Sequence, residues 1–445
     1  MQRRRDFLKL LAGSMGGLFL SSCAGGPIGP AGTGSFSGGP NGFRFIPLVS
    51  TGQTLPDGRI LQSLPGGALI NDVGHILFYG QTTAGMGLYE LLPDFEAIAR
   101  NGRSQLLSAR KVLATGDSLP NGAVALGVGT VAGNDLGHYA LVARTDRQSR
   151  DLLFLPRDGS LEVVAGYRTH VSEDGVHLGG NFVDVDLTDR NDLLLVDHYS
   201  SHDRVQSHQG LFVLPGMSLE GAQLLQSTGT VLPDAEGTVG TLGLVDHNES
   251  GDFLAQVGGQ GHGQASPDPR GTLPAQGLLR GNIHDRQSRR LLVAPPSFRV
   301  APRAAGETAT GSMIFGPRLA DETDHSTFIV HESENHQVLY FQDQPIIRVG
   351  DLSPGGRVIR GFVPGVLSPH GELHLILVTD IGHELVQYSS GAPLLLLNRG
   401  DRIDGRLINA IIFGFHLDQV DRLGRLIFVT EFTDGSSAVV LGLPV

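Results

Sequence analysis

From Phe43 onward, apolar residues gather in short runs rich in Val, Ile, Leu and Phe, and each run is bounded by Gly, Asn, Asp, Ser or Pro. The stretch after Gly122 shows the arrangement most fully. Ala125 to Gly133, His138 to Arg144, Asp151 to Leu155 and Leu161 to Ala165 are β-branched or alternate apolar with polar positions. That pattern predicts four consecutive strands joined by tight turns.

The turn between the first two strands repeats along the chain. Asn71-Asp72-Val73-Gly74-His75-Ile76-Leu77-Phe78 recurs as Asn134-Asp135-Leu136-Gly137-His138-Tyr139-Ala140-Leu141 and as Asn248-Glu249-Ser250-Gly251-Asp252-Phe253-Leu254-Ala255. Weaker copies begin at Thr188, Asp321, Ser368 and Asp421. Asn or Asp caps the turn, and Gly or Asn takes the positive φ needed to reverse direction. The reversing positions are 74, 137, 191, 251, 324, 371 and 424, spaced by 47 to 73 residues. Four antiparallel strands in each of seven units predict an all-β fold, a seven-bladed β-propeller.

Loops such as Gly52-Gln53-Thr54-Leu55-Pro56-Asp57-Gly58 and Gly116-Asp117-Ser118-Leu119-Pro120-Asn121-Gly122 read as connections between units. They lack the lysine and hydroxyl of a phosphate-binding loop. First strands carry glycine, as at Gly127, Gly129, Gly243, Gly361 and Gly365, which predicts close approach of strands around an axis. The last unit has only three strands, expected at Ile411 to Phe415, Arg425 to Phe432 and Ala438 to Leu443. Phe43 to Ser50 is left to supply the fourth and close the ring. Closure in one blade removes an open sheet edge.

Residues 1–22 differ in kind. Arg4-Arg5-Asp6-Phe7-Leu8-Lys9 is followed by an apolar stretch from Leu10 to Leu20 and then Ser21-Ser22-Cys23. A positive segment, a short apolar segment and small residues before a cleavage point make an export signal, and the apolar part is too short to span a bilayer. The arginine pair with Phe7 and Leu8 resembles the twin-arginine signal, and Leu20-Ser21-Ser22-Cys23 resembles a lipobox. By that resemblance Cys23 is the acylated, palmitate-type anchor, and Ala24 after it favours the outer membrane, on its periplasmic face or at the cell surface. Cys23 is the chain's single cysteine, so no internal disulfide can form. Residues 23–42 are mostly Gly, Pro, Ser, Thr and Ala, a tether, which leaves 43–445 as the propeller domain.

The chain carries a formal charge of −12; Arg3, Arg4, Arg5 and Lys9 against Asp6 give the leader +3, so its removal leaves −15. So acidic a surface argues against nucleic acid as a partner. Lysine occurs only at 9 and 111 and tryptophan not at all, which argues against Schiff-base chemistry and against indole-lined sugar sites.

The repeats resemble the tandem-repeat proteins named for an NxxGxxxF motif, found on bacterial surfaces with varied anchors. Residues 71–78 match fully, whereas other copies put Leu141, Ala255 or Leu375 at the aromatic position and Asn191 or Asp324 at the glycine. The resemblance implies a propeller-like surface protein and brings no catalytic residues.

Candidate chemistry lies in two places. Asp197-His198-Tyr199-Ser200-Ser201-His202-Asp203, with His208 nearby, offers imidazole and carboxylate ligands in one segment. Asp184 and Asp186 share a strand face and, with His416 and Asp418, would suit Ca²⁺ or another divalent ion in an axial channel. Counted from the turn positions, however, the two pairs have opposite parity and are expected on opposite faces. No Gly-x-Ser-x-Gly elbow occurs. The expectation is therefore a cofactor-free binding or interaction module, met by a protein or glycan on the face carrying loops 200–209 and 258–276. Besides that ligand, its partners are the membrane and the export machinery. The alternative is a divalent-metal-dependent hydrolase or lactonase-like propeller enzyme.

Overall fold

The computed structural model describes residues 42–445 except 172–175, 201–207, 231–238, 258–276, 286–289, 294–312, 321, 324, 334–335, 343, 390–392 and 415–417. Seven antiparallel sheets follow one another along these residues. Blade two has the strands Ala125–Gly133, Tyr139–Thr145, Arg150–Leu155 and Glu162–Ala165, within a residue of expectation at nearly every end. Blades four, five and six have the same four-strand plan. Blades one and three each split the innermost strand. Leu61–Ser63 and Ala68–Ile70 both pair with Ile76–Thr82, and His177–Leu178 and Asp184–Leu187 both pair with Leu193–Ser200.

Blade seven closes the ring as its composition requires. Phe43–Ser50 runs antiparallel to Ser437–Pro444, with Phe43 opposite Pro444 and Ser50 opposite Ala438. The inner strand of this blade is Arg406–Ile412, earlier than the expected Ile411 to Phe415. Residues 413 and 414 leave the ladder, and Phe415 lies outside the described residues.

The apolar runs are buried on both faces because each blade stacks between two others. Along Ala68–Ile70, Ala68 and Ile70 face a core shared with Ile427, Val429 and Leu441 of blade seven. Leu69 faces the opposite core, with Tyr139, Leu141 and Leu153 of blade two. Strand alternation thus assigns neighbouring residues to different inter-blade cores. Burial of each such leucine or isoleucine is worth about 1.5–3 kcal/mol.

Two of the first-strand glycines, Gly129 and Gly365, serve a purpose different from the one expected. A Cβ on Gly365 would stand 2.8 Å from the carbonyl oxygen of His374, and one on Gly129 would stand 3.1 Å from that of Val142. Both carbonyls belong to the second strand of the same sheet. The register shifts at these positions, between Val363 and Val366 and between Val128 and Val131, so the glycines relieve β-bulges. Close approach between blades does occur at Gly67, whose added Cβ would meet Gly414 Cα at 2.1 Å.

A short helix, Phe95–Asn101, interrupts blade one between its third and fourth strands. It starts where Asp94 accepts the Ala97 N–H and ends at Gly102, with φ of 65°. Among the described residues no helix is long and apolar enough to cross a membrane.

Candidate functional site at the axial mouth

The repeated turn builds one end of the propeller axis. Its first residue closes the turn by accepting the N–H four residues on: Asn71 from His75 at 2.9 Å, Asn134 from His138 at 3.0 Å and Asn248 from Asp252 at 3.0 Å. Thr188, Ser368 and Asp421 do the same with other oxygens. In the turns whose fourth residue is described, that residue has positive φ, 84° at Gly74 and 61° at Asn191, where asparagine is the tolerated substitute; Asp321 and Asp324 of the blade-five copy lie outside the described residues.

The turn's second residue makes the contacts across the axis. In chain order it is Asp72, Asp135, Asp189, Glu249, Glu322, Pro369 and Arg422. The Arg422 N–H donates to Asp72 Oδ1 at 2.7 Å, Asp72 N–H to Asp135 Oδ1 at 3.4 Å, and Asp135 N–H to Asp189 Oδ1 at 2.9 Å. Each of these carboxylates is therefore oriented by the backbone of the neighbouring turn. Asp135, Asp189 and Glu249 each offer an oxygen within 4.8 Å of the others. Carboxylates about 4 Å apart repel by about 4 kcal/mol at an effective dielectric of about 20. Burial first, and then Asp72, Asp189 and Asp418, push Asp135 up to about 8, against the pull of Arg422.

Beneath the ring lies a second polar layer. Asp184 accepts the Val245 N–H at 2.9 Å, and Asp246 accepts the Leu319 N–H at 2.5 Å and Arg318 Nη1 at 3.2 Å. His247 Nδ1 lies 2.5 Å from Asp186 Oδ2. Burial pushes Asp184 up to about 8, and Asp246 to about 7 despite Arg318. It also raises Asp186, but His247 and Arg318 outweigh it and hold that carboxyl below its usual range. Asp418 lines the axial cavity and is exposed there, so the rise of its pKa owes less to loss of water than to the neighbouring Asp186 charge. The cavity between the two layers measures ≈ 40 Å³ and is lined by acids that include Asp135, Asp186, Asp246 and Asp418.

Of the residues singled out by sequence, Asp186 and Asp418 meet at this cavity. The parity count separated them because it assumed an unbroken ladder. Asp418 lies beyond the end of Arg406–Ile412, where side chains no longer alternate in register. Asp184 and Asp186 both engage blade four, through the Val245 N–H and His247 respectively, and Asp186 alone of the two lines the cavity. His198 does not join them. It sits at the far end of its strand opposite Gln209, partly buried, with its pKa lowered by burial. Its neighbour Asp197 projects to the other face and accepts the N–H groups of Gly180 and Asn181 at 3.2 and 2.9 Å. His208 lies beside Tyr199, with ring centroids 5.8 Å apart and the rings tilted by 36°. Lys111 is paired with Asp117 at 2.7 Å. His202, Asp203, His416, Arg4, Arg5, Phe7, Leu8 and Cys23 lie outside the described residues, as do most of the 200–209 loop and the whole 258–276 insertion.

Sequence reasoning passed over the acidic ring and Arg422. The signal was present in the second column of the aligned turns, five acids and one arginine, but each residue taken alone is an ordinary turn residue.

Fold and axial mouth together define a seven-bladed β-propeller. No family model matches the sequence, and no curated protein matches it. Among solved structures the chain is similar to a puromycin-hydrolysing peptidase of Mycobacterium tuberculosis, at 10% identity and a TM-score of 0.48 over 85% of this chain and 50% of that one. It is similar to the β-propeller domain of the Trilobed protease from Pyrococcus furiosus, at 8% identity and 0.45 over 85% and 94%. A third likeness is to YCF48 bound to a D1 peptide, at 10% identity and 0.38 over 91% and 96%. The chain spans about half the length of the peptidases it resembles.

Proposed function

We propose that the chain is a twin-arginine-exported lipoprotein of the NxxGxxxF tandem-repeat kind, anchored in the outer membrane through acylated Cys23, whose propeller is a binding or interaction module of the cell envelope. The tether of residues 23–42 would place the propeller about 25 Å from the lipid if it behaves as a flexible coil.

The observation that carries the interaction reading is the size and lining of the axial cavity. Its ≈ 40 Å³ holds a few waters, whereas small-molecule sites usually measure about 300–1,000 Å³. Among the described lining residues there is no Ser, Thr, Cys, Lys or Tyr to act as a nucleophile, and His247 is committed to Asp186. A ligand is then met on a face rather than swallowed. We place the ligand on the turn face rather than on the face carrying loops 200–209 and 258–276 that the sequence alone pointed to, because the turn face offers acids at its centre and, beside them, Leu136 and Leu423, which are 47% and 67% exposed. That combination suits a protein segment presenting cationic and apolar side chains.

A photo-crosslinking residue placed in cells at Leu136 or Leu423 tests this, with Leu352 on the opposite face as control. Cross-links to an envelope protein are expected from the first two positions and should vanish when Glu249 and Glu322 are changed to glutamine. Cross-links from Leu352 alone would overturn the assignment of this face. The second reading, a divalent-metal-dependent hydrolase, draws on the clustered oxygens of Asp135, Asp189 and Glu249. Chelator-sensitive hydrolytic activity of the purified domain would establish it.

A further inference from the structure

Arg422 is the exception in its column. Five other copies of the turn place a carboxylate there, and the sixth places Pro369. From blade seven, Arg422 Nε lies 2.8 Å from Asp72 Oδ2 of blade one and 3.3 Å from Glu322 Oε1 of blade five. Its Nη2 lies 3.5 Å from Asp135 Oδ2 of blade two and donates to Glu249 of blade four. Blade six joins through His370, whose Nδ1 is 2.9 Å from Glu322 and whose Nε2 is 3.2 Å from the Arg422 carbonyl oxygen. Arg425 stands behind, donating to the Asp72 carbonyl at 3.5 Å and to Asp421.

We propose that Arg422 is a built-in cation that plugs the axial mouth, doing for this ring of carboxylates what a bound divalent ion would do, and tying the closing blade to blades one, two, four and five at the axis. A guanidinium suits the task. It stays charged at all working pH values, and its five donors in one plane can serve several carboxylates at once, whereas a lysine ammonium is a compact point charge. The two closures are complementary: Phe43–Ser50 fastens blade seven at the rim, and Arg422 fastens it at the centre.

The test is thermal unfolding of the mature chain, wild type and Arg422→Gln, in chelator and in millimolar calcium. The wild type should melt at the same temperature in both. Arg422→Gln should melt several degrees lower in chelator and recover most of that loss in calcium, with Arg422→Lys between them in chelator. Equal melting of Arg422→Gln and wild type in chelator would overturn the proposal. So would a loss that calcium does not repair, or a wild type that calcium stabilises. If Arg422→Gln fails to fold, adding Asp135→Asn and Glu249→Gln should restore folding without calcium. Persistent misfolding of that triple variant would show that Arg422 does not act by neutralising the ring.

Discussion

The Asp184 carboxylate accepts the backbone N–H of Val245 at 2.9 Å, fastening blade three to blade four between strands that share no ladder. Burial pushes this carboxyl up to about 8, well above its ordinary unfolded value of 3.8. A carboxyl raised on folding favours the native state when protonated, and that contribution fades as pH rises from about 4 towards 8.

Asp184→Asn should therefore flatten the fall in stability between pH 5 and pH 8, because asparagine keeps an acceptor for Val245 and cannot ionise. Asp184→Ala should cost about 1–3 kcal/mol at pH 5 by leaving a buried N–H unpaired. Melting temperatures of the three proteins at the two pH values decide this. An unchanged slope in Asp184→Asn would assign the pH dependence elsewhere.

His374 predicts the opposite limb. It is fully buried, neither ring nitrogen has a hydrogen-bond partner among the described residues, and its ring meets Phe43 of the closing strand edge-on at 6.4 Å. Burial lowers its pKa to about 4, so the unfolded state takes up the proton first. Stability is complete above about pH 6.5 and is lost as pH falls towards 4, by about 3 kcal/mol from this group. His374→Leu should melt later than wild type at pH 4.5 and close to it at pH 8.

The rim closure makes a prediction about truncation. Deleting residues 43–50 removes the outer strand of blade seven, together with Ile46, Leu48 and Val49 from the core shared with blade one. Thermal unfolding should show a large loss for that deletion and little change for deletion of residues 24–40. Equal melting of the two would contradict the closure.

Export and anchoring can be read in cells. Cys23→Ser should abolish incorporation of a fatty-acid probe, since Cys23 is the single thiol of the chain. Changing Arg4 and Arg5 together to lysine should hold the precursor in the cytoplasm if a twin-arginine receptor reads the guanidinium pair. Fractionation followed by immunoblotting separates these outcomes, and normal export of the lysine variant would refute the twin-arginine assignment.

The amino-acid sequence by itself determined the turns described in full, most of the strands around them and the closing strand, because each depends on local chemistry: an acceptor four residues before the N–H it binds, a residue tolerant of positive φ, and apolar runs of strand length. Closure was legible for the same reason, since a blade with three strands and an unassigned fourth at the other terminus admits one pairing. Parity failed at Asp418, where the strand ends before the residue of interest and the period of two no longer applies. The meeting of Arg422 with Asp72, 350 residues apart in the chain, was decided only when seven blades were wrapped around one axis. A carboxylate in a surface turn is solvated and unremarked. Brought to one mouth, four of the five lie against the Arg422 guanidinium, and that interaction has no counterpart in any one repeat.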